Sequence, residues 1–273
     1  MTATPDGPGP LDADAEVPLT GGGRSTVTRR GDVVLRPAAP WSAGITALLQ
    51  HLRDAGFDGS PRPVGDGFAP DGREAVTFVP GDVLHPRPWS DEAITAVGDL
   101  LRRLHRAVEG FTPPAGAVWQ PWFGRTLGRG PRIVSHCDTG PWNVLSRDGL
   151  PVALVDWEFA GPVDPMVELA QAAWLNAQLT GDRVAELQGN GSVADRARQL
   201  RLFLDGYGLP RDRRPELLEL VVEVAVADAK TQADEAGVTP TSTDPAPLWA
   251  MTWRIDSAEW VLRHRRTLLE ALR

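Results

Sequence analysis

Apolar positions along the chain change their spacing partway through, and the change divides the sequence in two. Near the amino end they come in short β-type runs. Val17-Pro18-Leu19-Thr20 enters Gly21-Gly22-Gly23, Ser25-Thr26-Val27-Thr28 alternates, Gly31-Asp32 turns, and Val33-Val34-Leu35-Arg36 returns. Ile45, Leu48, Leu49 and Leu52 then recur at helical spacing within residues 41–55. Arg73-Glu74-Ala75-Val76-Thr77-Phe78-Val79 reads as a strand closed by Pro80-Gly81. His85-Pro86-Arg87-Pro88 interrupts regular structure, and beyond it the helical period dominates. Residues 91–108, with Ser90 as N-cap and Ile94, Val97, Leu101 and Leu104 on one stripe, predict a helix. A Pro-, Gly- and Trp-rich loop (111–132) leads to the short apolar runs Ile133-Val134, Val144-Leu145 and Val152-Ala153-Leu154-Val155. Four helices follow, over 165–179, 193–207, 215–235 and 248–272, with no internal repeat. The pattern predicts an α+β protein: a tail (1–16), a small β-rich lobe (17–83) and a larger, mainly α-helical lobe (84–273).

The densest chemistry lies between the short apolar runs. His136-Cys137-Asp138-Thr139-Gly140-Pro141-Trp142-Asn143 is followed thirteen residues later by Asp156, in Leu154-Val155-Asp156-Trp157-Glu158. An Asp and an Asn five residues apart in a loop, with a second acid at the end of the next hairpin, suit phosphoryl transfer. One carboxylate takes the proton of a hydroxyl, while the amide oxygen and the second carboxylate hold Mg²⁺ against nucleotide phosphates. The catalytic candidates are therefore Asp138, Asn143 and Asp156, with Asn143 and Asp156 as metal ligands.

This segment resembles the aminoglycoside phosphotransferase and choline kinase-like family, whose signature runs H-G-D-x-x-x-x-N and then I-D-W-E. Leu100-Leu101-Arg102-Arg103-Leu104-His105 is similar to the family's L-x-x-L-H helix, and Gly161-Pro162-Val163-Asp164-Pro165-Met166-Val167-Glu168-Leu169-Ala170 to its G-D-P-x-x-D-L-A helix start. The resemblance spans roughly residues 17–180 and implies a bilobal protein kinase-like fold. It implies Mg²⁺ as cofactor, ATP or GTP as co-substrate, and a small-molecule hydroxyl as acceptor. Nucleotide contacts then fall on Gly22 and Gly23, on Arg36 in place of the usual strand lysine, and on Thr77 and Val79 at the hinge. Lys230, the only lysine, lies far downstream. A kinase-type helix supplies a Glu to hold the strand cation, but the helix over 41–55 has none near Ile45. Gln50 is its nearest polar substitute, and Glu74 is a second candidate. His136 is expected to brace the loop. Glu158 reads equally as a group near metal or acceptor and as a structural ion-pair partner. Trp174, Asn176, Trp249 and Trp253 are candidate acceptor-pocket residues, and Trp119 and Trp122 candidate cleft residues. The missing helix Glu and the Arg-for-Lys exchange keep a nucleotide-binding pseudokinase, acting as an immunity or regulatory module, as the alternative. A protein kinase is disfavoured because no A-P-E-like segment separates Asp156 from Asp164-Pro165.

Charge changes the picture only in what it excludes. Of the net −8, residues 1–23 carry −4 through Asp6, Asp12, Asp14 and Glu16, in a Pro/Gly/Asp-rich tail expected to be disordered. Residues 24–159 balance at 15 basic and 15 acidic, and residues 160–273 hold 13 and 17, the remaining −4. There is no basic footprint for nucleic acid and no strongly acidic stretch for a polycation. No apolar run reaches the roughly 18 residues a membrane helix needs. The single cysteine, Cys137, cannot form an internal disulfide, so a reducing cytoplasm is expected. The expected assembly is a monomer or dimer.

Overall fold

The computed structural model describes residues 15–19 and 26–273. Gly22 and Gly23, the predicted phosphate-covering glycines, lie outside the described residues. The amino-terminal lobe is one antiparallel sheet. Its strands are β1 (Glu16–Pro18), β2 (Thr28–Arg30), β3 (Val33–Arg36), β4 (Pro63–Phe68) and β5 (Glu74–Thr77), in the order β1-β2-β3-β5-β4. β2 and β3 join through the Gly31-Asp32 turn, with Arg30 opposite Val33 and Thr28 opposite Leu35. The predicted alternation at 25–28 is thus displaced towards the turn, and β4 was not expected. Helix α1 (Ser42–Asp54) buries Ile45, Leu48, Leu49 and Leu52, the stripe its spacing predicts.

A three-stranded sheet carries the chain across to the second lobe. In it β6 (Asp82–Val83) pairs with β8 (Val144–Arg147), and β8 pairs with β9 (Leu150–Leu154). The strand that follows the Pro80-Gly81 turn is therefore bonded directly to the hairpin that follows the loop of Asp138 and Asn143. The Ser146 hydroxyl donates to the Asp82 carbonyl at 2.9 Å and strengthens that link. β7 (Ile133–Ser135) pairs instead with β10 (Gly161–Val163), so the loop between β7 and β8 is pinned at both ends.

Helices α2 (Asp91–Ala107), α3 (Pro165–Asn176), α4 (Asp182–Gln188), α5 (Val193–Tyr207), α6 (Arg214–Glu235), α7 (Pro245–Arg263) and α8 (Arg265–Ala271) complete the second lobe. Ser90 caps α2 as predicted, its Oγ accepting from the Ala93 N–H at 3.1 Å. α2 and α5 pack unusually close: a Cβ on Gly98 would run into the Phe203 carbonyl, and one on Gly206 into the Thr95 carbonyl. The predicted helix over 248–272 divides at His264, and α4 is an addition to the predicted set. Among the described residues no helix is long and apolar enough to cross a membrane.

Candidate active site

The loop from His136 to Asn143 owes its shape to backbone conformation as much as to side chains. Cys137 has φ +66° and Asp156 φ +61°, both in the left-handed region that costs an L-residue roughly 1–2 kcal/mol. Such conformations persist where the surroundings over-determine them. At Cys137 the surroundings are Glu168, fully buried on α3, whose Oε1 accepts the Cys137 N–H at 2.6 Å. The other oxygen, Oε2, lies 2.8 Å from His105 Nε2, and His105 Nδ1 lies 2.8 Å from the Tyr207 hydroxyl. Burial alone would raise the Glu168 carboxyl. The His105 bond and the Cys137 N–H outweigh it and hold the group below the usual glutamate range.

His136 ties the loop to the strand that delivers Asp156. Its Nε2 donates to the Val155 carbonyl at 2.9 Å, so its Nδ1 is the acceptor of the Asp138 N–H at 3.2 Å. Complete burial lowers its pKa and keeps this neutral form. Asn143 completes the loop: Nδ2 donates to the Asp138 carbonyl and to the Asp138 carboxylate, each at 2.9 Å. With its nitrogen committed in this way, the Asn143 oxygen Oδ1 is the atom left to face a cation. The Asn143 carbonyl accepts the Val155 N–H at 2.9 Å, which sets Asn143 and Asp156 side by side at the end of the β8–β9 hairpin.

The Asp138 carboxyl is pushed up to about 7, first by burial and then by the charge of Asp156, against the opposing hydrogen bond from Asn143. A proton acceptor suits its task best when its pKa lies near the operating pH.

Across the cleft, Arg36 stands opposite Glu74 in the β3–β5 register, and its Nε donates to Glu74 Oε2. Its Nη1 reaches Asp156 Oδ1 at 3.2 Å. The acid that holds the strand cation therefore comes from the neighbouring strand. Gln50 plays no part, since it binds Asp54 on its own helix at 3.2 Å. At the hinge, Thr77 is tied to Arg62 through both its N–H (2.8 Å) and its hydroxyl (3.0 Å), and the Phe78 N–H goes to the Asp32 carbonyl at 2.7 Å. The Val79 N–H has no backbone partner among the described residues.

Several predicted aromatic contacts take other places. Trp174 is fully buried with its ring 5.4 Å from Trp253, so it belongs to the core. Asn176 is buried beneath the catalytic loop, donating to the Thr139 carbonyl at 2.8 Å and accepting from Trp89 at 3.1 Å. Trp122 is buried against Phe123 at 4.7 Å, and the Trp119 ring lies on Gly44 of α1. Sequence reasoning missed Arg125, whose guanidinium donates to the carbonyls of Gln120 (2.7 Å), Phe159 (2.9 Å) and Pro162 (3.2 Å) and so clamps the segment after Asp156. It also missed the role of Glu168. The available signal was a lone charged residue in the mostly apolar stretch Met166–Leu175, since such an acid must find donors.

A small antiparallel sheet over a helical lobe, with an Asp–Asn loop and a second acid at their junction, defines the bilobal kinase-like class. The chain belongs to the aminoglycoside phosphotransferase and choline kinase-like family. Residues 113–203 match the model of the phosphotransferase enzyme family. The chain is 55% identical over 257 residues to the trifolitoxin immunity protein of Rhizobium leguminosarum bv. trifolii, covering 94% of this chain and 98% of that one. Among solved structures it is similar to a choline/ethanolamine kinase family protein from Mesorhizobium loti (TM-score 0.59, 17% identity, 95% of this chain and 92% of that one). It is also similar to the amicoumacin kinase hAmiN in complex with AMP-PNP, Ca²⁺ and Ami (TM-score 0.64, 12% identity, 89% and 88%).

Proposed function

We propose that this protein is a Mg²⁺-dependent small-molecule kinase that moves the γ-phosphate of ATP or GTP to an acceptor hydroxyl. The observation that carries this reading is the division of labour within Asn143. Its nitrogen orients the Asp138 carboxylate, which leaves its side-chain oxygen for a cation, and its main-chain carbonyl is joined to the Val155 N–H, next to Asp156. Asn143 and Asp156 would hold Mg²⁺, which when bound neutralises charge between the phosphates. Among the described residues no three His, Cys, Asp or Glu side chains gather to cage an ion unaided. That fits a metal which keeps waters and shares its shell with phosphate. Asp138 accepts the proton of the acceptor hydroxyl and aligns its oxygen for attack, and Arg36 is placed to meet phosphate oxygens. The hinge segment 77–79 offers the base the Val79 N–H.

The amicoumacin kinase, with a nucleotide analogue and a divalent cation, is a precedent for such a ligand set on this fold. The immunity relative favours a second reading, in which protection follows from binding alone. The retained Asp138, Asn143 and Asp156 support chemistry.

The test is thermal unfolding with Mg²⁺ and ATP, or Mg²⁺ and GTP, followed by ADP or GDP release. A ligand that binds only the folded state stabilises it by about 2.7 kcal/mol at a hundredfold excess over Kd. An upward shift that requires metal and nucleotide together is the expected result. No shift at millimolar nucleotide defeats both readings that need a nucleotide. Glu74→Gln, which removes the strand carboxylate from Arg36 and leaves it only Asp156, is expected to weaken nucleotide binding by about tenfold, since roughly 1.4 kcal/mol corresponds to that factor. An unchanged affinity in the same titration would remove Arg36 from the phosphate site.

A further inference from the structure

The loop from His136 to Asn143 is largely buried; Asp138 is half-buried, and the one exposed residue is Trp142, next to Asn143. His136, Cys137, Thr139, Gly140, Pro141 and Asn143 are buried, whereas Trp142 is 39% exposed. A single exposed apolar side chain needs no explanation by itself. This one is held in place, in the loop that carries the proposed proton acceptor. Its indole folds back over Gly140, where a Cβ would lie 2.5 Å from ring atoms Cε2 and Cζ2, so any other residue at 140 would displace it. Its other neighbour is His85, set edge-on with ring centroids 5.6 Å apart and planes at 80°. His85 lies two residues past β6. Indole and imidazole thus form an aromatic step in the same loop as Asp138, four residues along the chain.

The charge nearby narrows the chemistry. Besides Asp156, the acid whose field reaches Asp138 is Asp228 on α6. Asp228 is paired with Arg254 of α7 at 2.6 Å, with both side chains largely buried at 11% and 15% exposure. The Arg254 guanidinium lies over the Trp253 ring at 4.4 Å. This acid therefore meets an arriving acceptor already neutralised, and a polycation finds no excess negative charge in it. A flat ring without net charge, by contrast, gains stacking contact on the indole while its hydroxyl reaches Asp138.

We infer that Trp142, backed by His85, forms the acceptor subsite and selects a neutral, ring-bearing alcohol. This rests on the phosphotransferase reading for its catalytic consequence, though not for the binding itself. In the reaction the acceptor O–H bond breaks, its proton passes to Asp138, the hydroxyl oxygen bonds to the γ-phosphorus, and the nucleoside diphosphate leaves.

Saturation-transfer NMR on the full chain tests the subsite with two ring probes, methyl β-D-glucopyranoside and 4-hydroxybenzyl alcohol. Ethanolamine serves as the acyclic probe and kanamycin as the polycation, each with and without Mg²⁺–AMP-PNP. Saturation of ring protons is expected for at least one ring probe, and which of the two responds tells carbohydrate from aromatic acceptors. Trp142→Ala should weaken that probe about tenfold, Trp142→Phe should restore most of the affinity, and the loss should fall on probe binding rather than on nucleotide binding. Should Trp142→Ala fail to fold, His85→Ala provides the comparison, with a smaller loss expected. Ethanolamine or kanamycin binding as well as either ring, no ring probe binding at all, or a Trp142→Ala protein with undiminished ring binding would each overturn the inference. Ring binding that depends on Trp142 without any Mg²⁺–nucleotide effect would leave the subsite standing and remove the kinase reading.

Discussion

Asp138→Asn is expected to keep Mg²⁺–nucleotide binding and lose acceptor-dependent ADP formation by about 10²–10⁴-fold, the usual worth of a positioned proton acceptor. The substitution preserves size. Asn143 Nδ2, which now donates to both the carbonyl and the carboxylate of Asp138, keeps an oxygen acceptor in either case. The backbone N–H of residue 138 still finds His136 Nδ1. The loop should therefore hold while the proton has nowhere to go. Single-turnover phosphate transfer compared with nucleotide affinity separates the two effects. Full acceptor-dependent turnover in the variant would defeat the assignment of this loop.

Glu168→Ala should be among the most damaging changes for stability. It leaves the buried Cys137 N–H and His105 Nε2 without their shared carboxylate. Unsatisfied buried donors cost about 1–3 kcal/mol each, so a loss of about 3 kcal/mol is expected. In a chain of this size that lowers Tm by roughly 6–12 °C. The same carboxylate gives folding a pH dependence of defined sign. Its folded-state pKa lies below the ordinary 4.5. The unfolded chain thus takes up the proton first, and the stabilisation is fully present above that value and lost as pH falls through the depressed one. Glu168→Gln should therefore flatten the acid limb of the stability curve. A Glu168→Gln protein with an unchanged acid limb would contradict this account.

The parts of the site that could be read in the sequence are those whose partners lie close along the chain. Asp138 and Asn143 share one loop, and Asp156 follows by a single hairpin, so their spacing alone carries the geometry. The Ser90 cap and the stripe of α1 were legible for the same local reason. Contacts between distant segments were not: Glu168 meets Cys137 across 31 positions, and Arg125 meets Phe159 across 34. β4 was hidden because Gly65 and Gly67, both at positive φ, break the alternation that marks a strand. The division between α7 and α8 at His264 was hidden because neither proline nor glycine marks it. Of the candidate tryptophans, Trp174 and Trp122 are buried, the commoner fate of large aromatic side chains, whereas Trp249 is exposed.

The strand origin of the acid beside Arg36 has a consequence for control. Where the strand cation depends on an acid carried by a mobile helix, swinging that helix disconnects the pair and switches the enzyme off. Here both partners sit opposite each other in neighbouring strands, as the end pair of the β3–β5 ladder next to Leu35 and Ala75. Parting them takes a change at that end of the sheet and not a movement of the helix. Displacement of α1 leaves the pair joined, so the protein has no off position of that kind. On the proposed kinase reading, its output should track the supply of acceptor and nucleotide.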